Sequence, residues 1–280
     1  MALVSRQLKI LGAIIESQLS GQTSTVNEIR ALTGTSLATV YKDIEGLSRL
    51  KVLRDRGALV LTDDVEQHRP QRLDLRAVVK AAIAERLVRD LLAPGCVLYL
   101  DTGTTCWHVA RELVRQRRDD VTVVTANPYA VSCLADEGTV REVVVLGGTL
   151  RASAASLFGS LTATGLRQVS FDTAVISVDF VHTDAAGSLA TFSDAETAQK
   201  GLACERATDN VCVIADDSKL SRNLGHVFAS LSRLTESKRT SLVVGTEHDE
   251  IPRGVRRQLK AALGAKGALI VAGIAEAAPE

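Results

Sequence analysis

Two helix starts and one helix stop fall between Thr25 and Ser36, a spacing that leaves room for little but two short helices at a tight turn. Thr25-Val26-Asn27-Glu28 has the capping-box pattern, in which the threonine hydroxyl and the glutamate side chain satisfy each other's orphaned backbone N–H groups. Val26, Ile29 and Leu32 supply one apolar stripe. Gly34 ends that helix because glycine turns left-handed at little steric cost, and Ser36 is placed to cap the next helix. From there Leu37, Val40, Ile44 and Leu47 recur at three- and four-residue spacing and predict a buried face. Ala38, Thr39, Lys42 and Arg49 fall opposite, with Tyr41 on the flank. A hairpin follows, with Arg54 and Arg56 at the turn between Val52-Leu53 and Leu59-Val60-Leu61.

This is the layout of a winged helix-turn-helix, and it predicts double-stranded operator DNA as a partner. Ser36, Ala38, Thr39, Tyr41, Lys42 and Arg49 are the candidate contacts of the second helix, because small and hydroxyl side chains allow close approach to a groove while cations reach phosphate or guanine. Arg54 and Arg56 are the candidates of the wing. Taken singly, Lys42 or Arg49 reads as an ordinary surface charge; the ordered pattern carries the expectation. Charge agrees mildly with it. Residues 1–62 hold eight Lys or Arg against five Asp or Glu, a net of plus three, whereas the whole chain balances 33 against 33. Few phosphate contacts per unit give weak, salt-sensitive binding, so a homo-oligomer, dimer or tetramer, is expected on one duplex.

A chain of 280 residues with 46% hydrophobic side chains can build two cores. The reading is a DNA-binding domain at 1–62, a linker at 63–72 around the polar Asp63–Pro70 stretch, and a second domain at 73–280. No apolar run of twenty residues appears and the start lacks an apolar run with a small-residue cleavage site, so no membrane span is expected and the cytoplasm is the expected compartment. The five cysteines lack a C-x-x-C pair and read as reduced core residues, and no histidine spacing suggests a metal.

Beyond an amphipathic helix at Leu73–Leu92, short β-branched runs alternate with helical patterns. Strands are expected at 97–100, 121–125, 143–146, 173–178, 211–214 and 242–244, the signature of a parallel sheet covered on both faces, an α/β domain of three layers. The tail adds a helix at Val255–Leu263 and an apolar edge run at Ala268–Ala272. In such sheets ligands bind beyond the carboxyl ends of strands. Here those ends are polar: Asp101-Thr102-Gly103-Thr104-Thr105, Ala126-Asn127-Pro128, Gly147-Gly148-Thr149, Asp179, and Asp216-Asp217-Ser218-Lys219. Gly103, Thr104 and Thr105 at a helix start offer backbone N–H donors and hydroxyls to an anion, phosphate foremost, and Lys219 offers a point charge. Asp101, Asn127 and Asp179 suit the hydroxyls of a sugar. Each loop alone reads equally as a cap or a tight turn, as Gly147-Gly148 does; their convergence raises a small phosphorylated sugar as effector.

Several motifs in order resemble the DeoR family of bacterial regulators. Ser36–Ile44 is similar to its recognition helix, and Asp101–Thr105, Thr125-Ala126-Asn127, Leu146-Gly147-Gly148, Gly159, Asp172, Asp194-Ala195-Glu196 with Lys200, and Ala215–Lys219 are similar to its sugar-phosphate sensor. The resemblance implies a repressor with no cofactor, whose sensor is similar in fold to ribose-phosphate isomerases and coenzyme A transferases. It also implies that Gly103, Thr104, Thr105 and Lys219 hold phosphate, while Asp179 and Glu196 occupy places that are catalytic in the enzymes. Tyr41-Lys42 replaces the family's usual arginine pair, and Ser177 and Phe180 stand where glycine is commoner. Glu196 and Lys200 also form an i,i+4 pair, and Ser193 with Glu196 reads as a second capping box, so both residues have a purely helical explanation beside the pocket one. The rival class is a sugar-phosphate isomerase or transferase with an added helical domain, using Asp179 or Glu196 as base. A constitutive DNA-binding protein is the third reading.

Overall fold

Side-chain alternation along the central strands splits the core into two sheets of contacts, and this sets the architecture. The computed structural model describes residues 5–19, 24–47, 52–55, 58–61, 76–151, 156–191, 193–221, 225–247 and 250–274. The chain divides into two compact units, Met1–Gln67 and His68–Glu280. The expected linker at 63–72 lies outside the described residues.

The first unit contains helices α1 (Ser5–Leu19), α2 (Val26–Thr33) and α3 (Leu37–Leu47) with strands β1 (Ser24–Thr25), β2 (Val52–Asp55) and β3 (Ala58–Leu61). The strands form an antiparallel sheet of order β1-β3-β2, with Asp55 opposite Ala58 at the hairpin end. The capping box is formed: Glu28 N–H donates to Thr25 Oγ1 at 3.3 Å and Thr25 N–H donates to Glu28 Oε2 at 2.7 Å. Gly34 takes a left-handed φ of 63°, and Ser36 Oγ accepts from Thr39 N–H at 3.2 Å at the start of α3. Ile10, Ile14, Val26, Ile29, Val40 and Ile44 are buried.

Two apolar positions depart from the expected faces. Leu32 is 56% exposed and Leu37 38% exposed. Each three-residue step falls about 60° short of a full turn, so Val26, Ile29 and Leu32 walk around α2 and the third leaves the core. Asp43 departs the other way. It is buried and accepts from both Arg6 Nε and, at 3.1 Å, Arg6 Nη2, which ties α3 to α1 and removes one cation from the free positive charge of this unit.

The second unit runs α4 (Ala77–Asp90), β4 (Val97–Leu100), α5 (Thr104–Arg115), β5 (Thr122–Thr125), α6 (Pro128–Glu137) and β6 (Glu142–Val145). A hairpin, β7 (Thr149–Arg151) and β8 (Ser156–Phe158), leads to α7 (Ser160–Gln168), β9 (Phe171–Ser177), β10 (Phe180–His182) and β11 (Ser188–Thr191). The chain ends with α8 (Asp194–Arg206), β12 (Ala207–Asp216), β13 (Leu220–Ser221), β14 (His226–Ser230), α9 (Leu231–Ser237), β15 (Arg239–Thr246), α10 (Arg253–Leu263) and β16 (Gly267–Gly273). Seven strands make one sheet of order β16-β15-β12-β9-β4-β5-β6, and every pair in it is parallel. On one face Tyr99, Ala174, Ile176, Val213 and Val244 pack with residues of α7, α8, α9 and α10; on the other Leu98, Leu100, Val175, Ile214 and Val243 pack with α4, α5 and α6. The three-layer α/β expectation therefore holds, and all six expected central strands are present. A four-stranded sheet, β13-β10-β11-β14, was not foreseen from the sequence.

Four of the five cysteines are buried and all are free thiols; burial pushes Cys204 and Cys212 up to about 12. Among the described residues no helix is long and apolar enough to cross a membrane.

An ion cluster anchors α4 to the sheet. Arg76 Nη1 donates to Asp216 Oδ1 at 3.2 Å and to Asp217 Oδ1 at 2.5 Å. Burial by itself pushes the Asp216 carboxyl up, but Lys219, the hydrogen bond from Ser218, Arg76 and Lys80 outweigh it and hold the group below its ordinary value. A depressed carboxylate contributes stability above its unfolded value of about 3.9 and loses it as pH falls through the folded value. Urea midpoints are thus expected to stay level for this group from pH 7 to about 5 and to fall below about pH 4. Asp216→Asn should flatten that acid limb, and an unchanged limb would contradict the assignment.

Candidate functional site

The strand order reverses at β4. From β4 the chain builds outward through β5 and β6, then crosses back to β9 on the other side and continues through β12, β15 and β16. Loops leaving β4 and β9 therefore part toward opposite faces and open a crevice at their carboxyl ends, the place where parallel α/β sheets take ligands. Asp101 follows β4 and Ser177 ends β9, so the fold itself sets these two residues together.

Asp101 is 1% exposed. Its Oδ2 accepts from the Ser177 N–H at 3.1 Å and from Lys200 Nζ at 2.5 Å, with Ser177 Oγ at 3.2 Å. Lys200 reaches in from α8, is equally buried, and also donates to the Ser177 carbonyl at 3.0 Å. Glu196 Oε2, one helical turn before it, lies 3.8 Å from the ammonium. Burial pulls the Lys200 ammonium toward neutrality, but Asp101, Glu196 and Asp179 outweigh burial and hold it well above the ordinary lysine value, so it stays charged. Asp101, Thr102, Glu196, Gln199, Lys200 and Ser156 line a narrow, tightly closed cleft.

The residues singled out in the sequence fall into three groups here. Asp101, Glu196 and Lys200 meet at the cleft. Gly103 is the N-cap of α5 and makes no side-chain cap bond, so the first turn of that helix carries no side-chain cap, while the Thr104 and Thr105 side chains are packed inward. Asp179 is half-buried and accepts from Thr191 Oγ1 at 2.9 Å. The others have structural work. Asn127 is fully buried: its Oδ1 accepts from the Tyr129 and Ala130 N–H groups, and its Nδ2 donates to the carbonyls of Asp101 and Gly103. It caps α6 and braces the β4 loop. Lys219 is buried with Nζ donating to the Val178 carbonyl at 2.6 Å, a strut between two strand ends.

Gly147 and Gly148 form a turn packed on α7. Gly147 O accepts from Thr162 Oγ1 at 2.6 Å. Gly148 has φ of 143°, and a Cβ there would stand 2.0 Å from Thr162 Oγ1 and 2.7 Å from the Phe158 carbonyl. Packing against α7 and β8 is sufficient to require this glycine. Gly148→Ala is expected to cost about 1–3 kcal/mol from crowding and backbone strain, read as a lower urea midpoint at unchanged m-value.

The second capping box is corrected. Ser193 is the N-cap of α8 but makes no cap bond; its Oγ accepts from Arg151 Nη1 at 3.1 Å instead. Glu196 is buried and lines the cleft. Ser156, Gln199 and Ser177 complete the cleft and its floor and were not among the sequence candidates. Ser177 had a signal, as a polar residue at a strand's carboxyl end; Ser156 opens β8 after an alanine- and serine-rich stretch of sequence with none.

In the first unit Ser36, just before α3, and Ala38, Tyr41 and Lys42 on α3 are exposed and Thr39 is half-exposed, away from buried Val40 and Ile44. Asn27, Arg30, Ala31, Gly34 and Thr35 line an open groove beside the turn. Arg54 lies in β2, whereas Arg49 and Arg56 fall outside the described residues.

With a switch-point crevice in one unit and an exposed helix in the other, sequence comparison gives the family of regulators to which the chain belongs. Residues 76–236 match the DeoR C terminal sensor domain, and the chain belongs to the DeoR family. The putative aga operon transcriptional repressor of Escherichia coli O157:H7 is 28% identical over 79% of this chain and 80% of its own length. The HTH-type transcriptional regulator GlpR of Haloferax volcanii is 31% identical, covering 79% of this chain and 85% of GlpR. Among solved structures, ribose 5-phosphate isomerase A of Methanocaldococcus jannaschii aligns with 52% of this chain and 55% of the isomerase at 21% identity, with a TM-score of 0.38.

Proposed function

We propose that this chain is a transcriptional repressor whose first unit is a winged helix-turn-helix gripping operator DNA and whose second unit binds a phosphorylated sugar that sets the strength of that grip. The observation that carries the reading is the pairing, on one chain, of a DeoR sensor domain whose switch-point crevice holds a buried Asp101–Lys200–Glu196 cluster with a unit that exposes Lys42 and Tyr41 on one helix and Ser36 just before it. The phosphate sits at the uncapped start of α5, near Gly103, Thr104 and Thr105, where the helix dipole and first-turn N–H groups favour an anion. The sugar extends toward Asp101, Glu196 and Lys200. The chain acts as a homo-oligomer, since operators mirror protein symmetry, in the cytoplasm. It works as a regulator rather than an isomerase: its named relatives regulate transcription.

Effector control requires different affinities of the sugar phosphate for the DNA-competent and DNA-incompetent states, and a coupling of about 1–3 kcal/mol changes operator affinity about 5- to 150-fold. The test is fluorescence anisotropy of the chain on its own upstream promoter DNA, at several salt concentrations, with pentose and hexose phosphates added. Specific binding that one sugar phosphate shifts at least 5-fold is expected. Equal affinity for promoter and random duplex would refute the reading.

A further inference from the structure

Two polar atoms buried in the cleft have no hydrogen-bond partner: Asp101 Oδ1 and Ser156 Oγ, on residues each 1% exposed. Both residues line the same narrow cleft, Asp101 from the end of β4 and Ser156 from the start of β8. Buried polar groups are paired in nearly all folded proteins, and orphans that face one cavity from two separate elements mark a place where a ligand supplies the partners. The cleft's ionisable side chains are Asp101, Glu196 and Lys200, two carboxylates against one ammonium, and the ammonium is already engaged by Asp101 and Ser177. The surroundings thus accept hydrogen bonds more than they donate them, and they oppose an anion.

From this, and resting on the sensor reading above, we infer that Ser156 with the unpaired Asp101 oxygen forms a hydroxyl-reading subsite that takes the uncharged, polyhydroxylated end of the effector and rejects a carboxylate there. A hydroxyl can donate to Asp101 Oδ1 and at the same time pair with Ser156 Oγ, whereas a carboxylate brings no donor and meets two like charges. Ser156 is the specificity-determining residue that the β7–β8 hairpin carries to the site. Arg151, at the end of β7, donates to Ser193 Oγ at the start of α8 and so ties the hairpin to the helix that bears Glu196 and Lys200.

Isothermal titration of the full chain and of Ser156→Ala, with inorganic phosphate, five- and six-carbon aldose and ketose phosphates, and the matching phosphorylated aldonates, tests this. Because Ser156 Oγ has no partner, its removal breaks no bond, and the unliganded variant should melt within about 1 °C of the wild type. Its affinity for the sugar phosphate that binds the wild type should fall about 3- to 10-fold, the value of one neutral hydrogen bond, with inorganic phosphate unaffected. The aldonate should bind the wild type at least 10-fold more weakly than its parent sugar phosphate. Unchanged sugar-phosphate affinity in Ser156→Ala, or an aldonate that binds as well, overturns the subsite while leaving the sensor reading intact. No sugar phosphate binding to the wild type overturns both.

Discussion

Lys200→Met should lower the thermal midpoint of the second unit by about 6–20 °C. Removing one partner of a buried ion pair strands the other, which costs about 3–5 kcal/mol, and each kcal/mol moves the midpoint of a unit of this size by about 2–4 °C. Here the stranded group is Asp101, 1% exposed and without solvent to replace the ammonium. Asp101→Asn together with Lys200→Met should recover at least half of the loss, because a neutral amide still accepts from the Ser177 N–H and no charge is left beside it. The pH profile is also fixed in sign. A lysine whose folded value is raised contributes fully below its unfolded value of about 10.4 and loses the contribution only as pH rises beyond it. The gap between wild type and Lys200→Met should therefore be level from pH 6 to 9 and narrow only above about pH 10.5. Calorimetry that places the single variant within about 2 °C of the wild type would show that the pair does not hold the crevice together.

The same pair shows how far the sequence could be read. Glu196 and Lys200, four apart on a helix, predict each other through periodicity alone, and periodicity stops there. The partner that decides the lysine's role, Asp101, is ninety-nine residues earlier in the chain and is set beside it only by the crossing from β6 back to β9. The central strands were legible because short β-branched runs buried on both faces have a composition of their own. The small sheet of β10, β11, β13 and β14 was not, since strands of two to five mixed residues carry no period. Asn127 and Gly148 were chosen for what their residue types can offer a ligand, and the same properties serve a helix cap and a close backbone approach. Ser177, a departure from the family's commoner glycine, gives the sheet end a hydroxyl that donates to the Thr102 carbonyl at 2.7 Å. It fixes the loop that the α5 start depends on, and a glycine there would leave that carbonyl without this bond.

Lys42→Glu should weaken promoter binding at least about 100-fold at moderate salt. Lys42 is exposed on α3, beside exposed Tyr41 and on the face opposite Val40 and Ile44, so reversing its charge leaves the core of the first unit untouched. One good contact to a base or phosphate is worth about 1–3 kcal/mol, and in a two-fold assembly each substitution counts twice, before any repulsion between glutamate and the duplex is added. Its neighbour Asp43 is already committed to Arg6, and Lys42 is the one lysine or arginine in the α3 sequence. The salt dependence separates the two kinds of contact. If Lys42 meets phosphate, Lys42→Ala lowers the slope of log affinity against log salt by about 1 per half-site and weakens promoter and random duplex alike. If it meets a guanine edge, the loss concentrates on the promoter. Binding by Lys42→Glu within 3-fold of the wild type, in a variant whose melting curve is unaltered, would remove α3 from the DNA interface.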